Sequence, residues 1–155
     1  MTFRIRGLDP APYRRFYGRS DAELAEAGVR RVVADAHPGY PDRVELRDAD
    51  PGETLLLLNH EHQPVPTPYR SAHAIFIREG ADRPAEFVSE IPDVMRRRPI
   101  SLRAFDAGHD MVDADLSHGS VLFPLIERML ADPAVAYLHA HYARRGCFAA
   151  VVERA

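Results

Sequence analysis

The chain has 155 residues, with 20 basic and 23 acidic side chains and a net charge of −3 when the histidines are neutral. No large electrostatic attraction to nucleic acid or to an anionic membrane is therefore expected. All 20 basic residues are arginine, which excludes a Schiff-base lysine, a pyridoxal phosphate anchor and a phosphate-loop lysine.

The length fits one domain over residues 1–155, large enough to bury a core without disulfides or metal. A single cysteine, Cys147, leaves no internal disulfide to form. The opening MTFRIRGLDP lacks the apolar stretch of a secretory signal, and the longest aliphatic run, Leu55 to Leu58, is far short of a membrane span. A cytoplasmic protein is expected.

Thr2 to Leu8 alternates apolar and charged residues and reads as a half-buried strand. Prolines 10 and 12 mark a turn. Ser20 and Glu23 have the spacing of a capping box for a short helix that Gly28 closes. Arg31 to Asp35 reads as a strand, and Arg43 to Arg47 alternates with Val44 and Leu46 on one face. After the Pro51-Gly52 turn, Glu53 to His62 is the clearest strand, and Ala72 to Arg78 is another. Glu79 to Arg98 reads as a connector with one short helix near Pro92 to Arg97. Ser101 to Leu116 has the pattern of a hairpin turning at Asp106-Ala107-Gly108. Leu122, Leu125, Ile126, Met129 and Leu130 share one helical face, with Ser120 as the expected cap. Ala134 to Tyr142 and Cys147 to Glu153 form a C-terminal hairpin about Arg144-Arg145-Gly146. Strands outnumber helices and connections are short. The expected fold is α+β, a mainly antiparallel sheet with two or three helices packed on one face.

The segments HPGYPDRVEL, PGETLLLLNHEHQPVPTPYRSAHAIFIRE, SLRAFDA and YLHAHYARRGCFAA, in this order after Arg31 to Asp35, resemble a bacterial family known as domain of unknown function 1203. The resemblance covers nearly the whole chain and implies a bacterial single-domain protein. It implies no activity. Where the family pattern often has a cysteine in its PGYP segment this chain has Asp42, and it lacks an asparagine near Tyr142.

Three groups of residues could carry chemistry. His60 and His62 alternate on one strand, so they project together about 7 Å apart, and His73 on the next strand could join them. Such a pair can ligate a metal, but cupin spacing is absent and polar strand ends are the simpler reading; no metal is assigned. Pro64, Pro66 and Pro68 stiffen the loop that presents Tyr69, Arg70 and Ser71, which suits an anion; Arg70 could equally pair with a neighbouring acid. His139 and His141 repeat the His-x-His pattern, with Arg145 in the following turn and Cys147 beyond it. If Ala143 pairs with Cys147, the thiol shares the histidines' face; if Arg144 does, it turns away. A buried structural thiol is the commoner fate.

Three functions remain: a binding domain for a small anionic molecule lined by His60, His62, Tyr69, Arg70, His73, His139, His141, Arg145 and Cys147; a metal-dependent enzyme using the strand histidines; or a homodimeric assembly protein. The first ranks highest, with the cofactor, if any, unassigned.

Overall fold

Phe3 and Ile5 are buried while Arg4 and Arg6 turn to the other face, so the N-terminal alternation becomes β1 (Phe3–Arg6) in a computed structural model that describes residues 1–155. The capping box also forms. Ser20 Oγ accepts the Glu23 N–H at 3.1 Å, and the Glu23 carboxylate accepts the Ser20 N–H at 3.4 Å. These bonds open α1 (Asp21–Glu26), and Gly28, at φ +72, stops it.

β2 (Arg30–Val33), β3 (Thr54–Gln63) and β4 (Ser71–Arg78) pair antiparallel as a three-stranded sheet in the order β2-β3-β4. Leu56 and Leu58 of β3 share one face with Ile75 and Ile77 of β4 and pack with Leu24 of α1 into a separate small core.

The other strands are β5 (Glu86–Val88), β6 (Pro99–Phe105), β7 (Met111–His118), β8 (Tyr137–Tyr142) and β9 (Phe148–Arg154). With β1 they form a six-stranded antiparallel sheet ordered β5-β1-β9-β8-β6-β7. α2 (Asp93–Arg96) and α3 (Leu122–Ala131) contribute to the main core on one side of it. Leu122, Ile126, Met129 and Leu130 are the buried stripe of α3. The Arg154 guanidinium donates to the Leu130, Asp132 and Val135 carbonyls, satisfying the helix's C-terminal end. No helix is long and apolar enough to cross a membrane.

The α+β, mainly antiparallel architecture is thus the one expected, with its strands divided between two sheets. Three local expectations change. Arg43 to Arg47 is not a strand: Leu46 sits at φ +52, and this turn sends Val44 into the small core and Leu46 into the main one. The Glu79 to Arg98 connector holds β5, a short edge strand paired with β1. Ser120 does not cap α3. It lies in a 3-10 turn, Gly119–Val121, that runs straight into the helix, and His118 Nδ1 accepts the Ser120 N–H at 3.2 Å.

Candidate functional site

Alternation along β8 decides what the site contains. Leu138, Ala140 and Tyr142 enter the main core, so Tyr137, His139 and His141 project from the opposite face. Alternation on β6 does the same for Ser101 and Arg103, the cross-strand partners of His141 and His139. β9 has a register shift opposite Ala140 and His141, which pairs Phe148 with His141. Phe148 therefore joins the imidazole face.

The far end of β3 closes over this surface. His60 and His62 continue the face of Leu56 and Leu58, but beyond the small core they meet the large sheet instead. The His62 ring centroid lies 4.8 Å from His141 and 6.1 Å from His139, and His139 is 6.3 Å from His141. Phe148 is the hub: it stacks on His62 at 5.4 Å and 7° and touches His60, His139 and His141 at 5.3–5.8 Å. His73 is the cross-strand partner of His60.

Hydrogen bonds constrain the tautomers. His141 Nδ1–H donates to the Gly146 carbonyl at 2.9 Å, leaving Nε2 with the lone pair. His60 Nδ1 pairs with the Tyr13 hydroxyl at 2.6 Å. The Ser71 hydroxyl donates its one hydrogen to the Tyr69 carbonyl, so its oxygen accepts from His62 Nε2–H at 2.9 Å. His62 Nδ1 is then a bare acceptor, buried and without a partner, and His139 Nδ1 is also buried without one. At the margin, Gln63 donates to the Tyr137 hydroxyl at 2.9 Å, and that oxygen lies 2.7 Å from His109 Nδ1.

Burial is the first cause of the imidazoles' weak basicity. It pulls His60 down to about 4 and His139 and His141 down to about 3, with neighbouring histidines and arginines adding to the effect. His62 is lowered too, by burial, then Arg103 and His73, with the His60 main chain pulling weakly the other way. All four are neutral at physiological pH.

The one cation of this surface is Arg103, which sequence reasoning passed over. Burial lowers its proton affinity, no carboxylate pairs with it, and its side-chain partner is Ser101 Oγ at 3.3 Å. Its signal was available in the β6–β7 hairpin, where alternation puts Ser101 and Arg103 opposite the core residues Leu102 and Ala104.

The remaining candidates sit elsewhere. Arg70 is 65% exposed and pairs at 3.2 Å with Glu61, whose side chain leaves β3 on the face opposite His60 and His62. Arg145 is exposed in the β8–β9 turn. Cys147 accompanies Tyr142, whose N–H donates to its carbonyl at 2.9 Å, and both pack in the main core. Neither anticipated register occurs, and the thiol faces away from the histidines. Tyr69 stands at the rim, edge-on to Phe105 at 6.2 Å. No three His, Cys, Asp or Glu side chains are arranged to hold a metal ion.

A cleft of about 530 Å³ lies apart from the histidine cluster, between the 45–50 loop, β5 and α2. Its charged side chains are largely engaged: Arg97 with Asp48 at 2.9 Å, Arg47 with Glu53 at 2.7 Å, Glu45 with Arg78 at 2.5 Å. Volume favours this cleft; the polar groups without partners favour the histidine surface, and these carry more weight because a ligand must satisfy something.

Comparison with known proteins places these residues in a family. The chain belongs to the family described as protein of unknown function (DUF1203), whose model matches residues 39–154. Every member of the histidine cluster lies within that segment, while Tyr13 lies outside it. No curated protein and no solved structure matches the chain.

Proposed function

We propose that this member of the DUF1203 family binds a small anion at Arg103, against the wall of His62, His139, His141 and Phe148. The observation that carries the reading is the guanidinium without an acid. Taking a cation out of water is costly unless an opposite charge or strong acceptors offset it. Other partly buried arginines have acid partners: Arg31 pairs with Glu79 at 2.8 Å, Arg78 with Glu45 at 2.5 Å and Arg98 with Asp48 at 2.6 Å. The fully buried Arg43 has no acid but gives its N–H groups to the Phe148 and Pro41 carbonyls at 2.8 and 2.5 Å. Arg103 has only a serine hydroxyl. A guanidinium offers an oxyanion two parallel N–H donors, and neutral imidazoles can add further donors without importing negative charge. A metal-dependent enzyme would instead set a cation beside this guanidinium with no carboxylate to offset either, an arrangement that Coulomb repulsion disfavours.

Thermal denaturation with sulfate, phosphate and small carboxylates tests the reading. Ligand at one hundred times its dissociation constant adds about 2.7 kcal/mol, or about 5–11 °C for a domain of this size. Arg103→Ala removes the shift and Arg70→Ala retains it. A shift that survives in Arg103→Ala ends the proposal.

A further inference from the structure

Resting on that reading, we infer that the anion is bound together with one proton, which His62 Nδ1 accepts, so that the site is built for a tetrahedral dianion such as phosphate or the phosphate end of a small monoester. The chain brings one permanent positive charge to the surface, that of Arg103. A dianion needs a second.

The acceptor that can supply it is set by hydrogen bonding. Ser71 gives its hydrogen to the Tyr69 carbonyl and holds His62 as the Nε2–H tautomer, so the lone pair is on Nδ1. That nitrogen is buried, has no hydrogen-bond partner and lies on a ring 6.1 Å from His139, whose own Nδ1 also lacks one. Protonation would give His62 two N–H donors, one held by Ser71 and the other shared between the nearby His60 carbonyl and an oxyanion. The balance is simple: one solvent proton forms an N–H bond at Nδ1, and no other bond breaks.

The ionisable groups facing His62 favour this coupling. They are His60 on its own strand, His73 on β4, Arg103 on β6, and His139 and His141 on β8; β9 contributes the uncharged ring of Phe148. Arg43 lies behind Phe148, donating to its carbonyl. None of these carries negative charge, so the free protein holds His62 neutral. A bound dianion is the element that reverses the balance and draws the proton in.

Sulfate is the probe, because it stays a dianion across the working range and any proton gained must be on the protein. Titration calorimetry at pH 7 in two buffers of different ionisation enthalpy reads protons taken up per sulfate, expected near one. Sulfate affinity then falls about ten-fold from pH 6 to pH 7. In His62→Gln the uptake drops toward zero while Arg103 still gives weaker binding. If sulfate binds with no buffer or pH dependence, or if the uptake persists in His62→Gln, the inference is overturned and the anion-binding reading stands. If neither sulfate nor phosphate binds, both fall. The wild-type comparison decides even if the variant does not fold. Competition between inorganic phosphate and glycerol 3-phosphate separates the free ion from a monoester.

Discussion

Mild acid should strongly destabilise this protein through its buried histidines. His60, His139 and His141 have folded values of about 4, 3 and 3 against an ordinary 6.5, with burial as the first cause. Because the folded values are depressed, the folded state holds these rings neutral while the unfolded chain binds the proton. Stability is therefore complete above 6.5 and is lost as pH falls from there toward 4 and 3. At pH 5 each imidazole favours the unfolded chain by about 2 kcal/mol relative to pH 8, or about 6 kcal/mol for the three. That is a large part of the 5–15 kcal/mol that ordinarily separates folded from unfolded, and it corresponds to a fall of about 2–3 M in the urea midpoint. Glu53 and Glu79 do not blur the window: they are held near 2, first by their bonds to Arg47 and Arg31, so their contribution is intact above the unfolded value of 4.5. Asp42, raised first by burial, works against the histidines as pH falls. Urea titrations at pH 5.2, 6.0 and 7.5, followed by far-ultraviolet circular dichroism, measure the loss. His139→Leu, which replaces a buried ring lacking a partner for Nδ1, should flatten the dependence by about 2 kcal/mol at the acid end. Midpoints that agree between pH 5.2 and pH 7.5 would refute the argument.

Other outcomes follow from single contacts. Phe148, 3% exposed and in contact with four imidazoles, should cost about 3–5 kcal/mol on truncation to alanine, read as a lower urea midpoint. The edge of β7 is guarded. The outward N–H groups of Ala114 and Leu116 donate to the Asp113 and Asp115 carboxylates at 2.8 Å, and Arg128 braces both acids. Asp113→Ala with Asp115→Ala bares this edge beside Val112 and Leu116, 47% and 68% exposed, and sedimentation velocity should show more self-association than the wild type at equal concentration. Cys147 belongs to the main core, so a thiol reagent should label it slowly in the folded protein, at a rate that His141→Gln leaves unchanged beyond its effect on global opening.

Much of the fold was legible because the signals are local. The Ser20–Glu23 box, the α3 stripe, β3, β4 and the two hairpins are written in spacings of two to four residues and in turn residues next to them. Alternation likewise determines that His60 shares a face with His62 and His139 with His141. What the chain order could not state is which faces meet. The end of β3 lies on the bare side of β8, and this brings His62 within 4.8 Å of His141 although 79 residues separate them. Register shifts at His60/Gln63 and Ala140/His141, and the left-handed backbone of Leu46, are the other tertiary decisions. They put Phe148 among the imidazoles, turn Cys147 away, and divide Val44 and Leu46 between two cores. The choice of Arg103 over Arg70 has the same origin: Glu61, on the outer face of β3, takes Arg70, while the crossing of the sheets covers Arg103 and leaves it without an acid. A one-residue shift in pairing exchanges the two faces of a strand at little local cost, so only the long-range packing, which makes one face dry and the other wet, can choose between them.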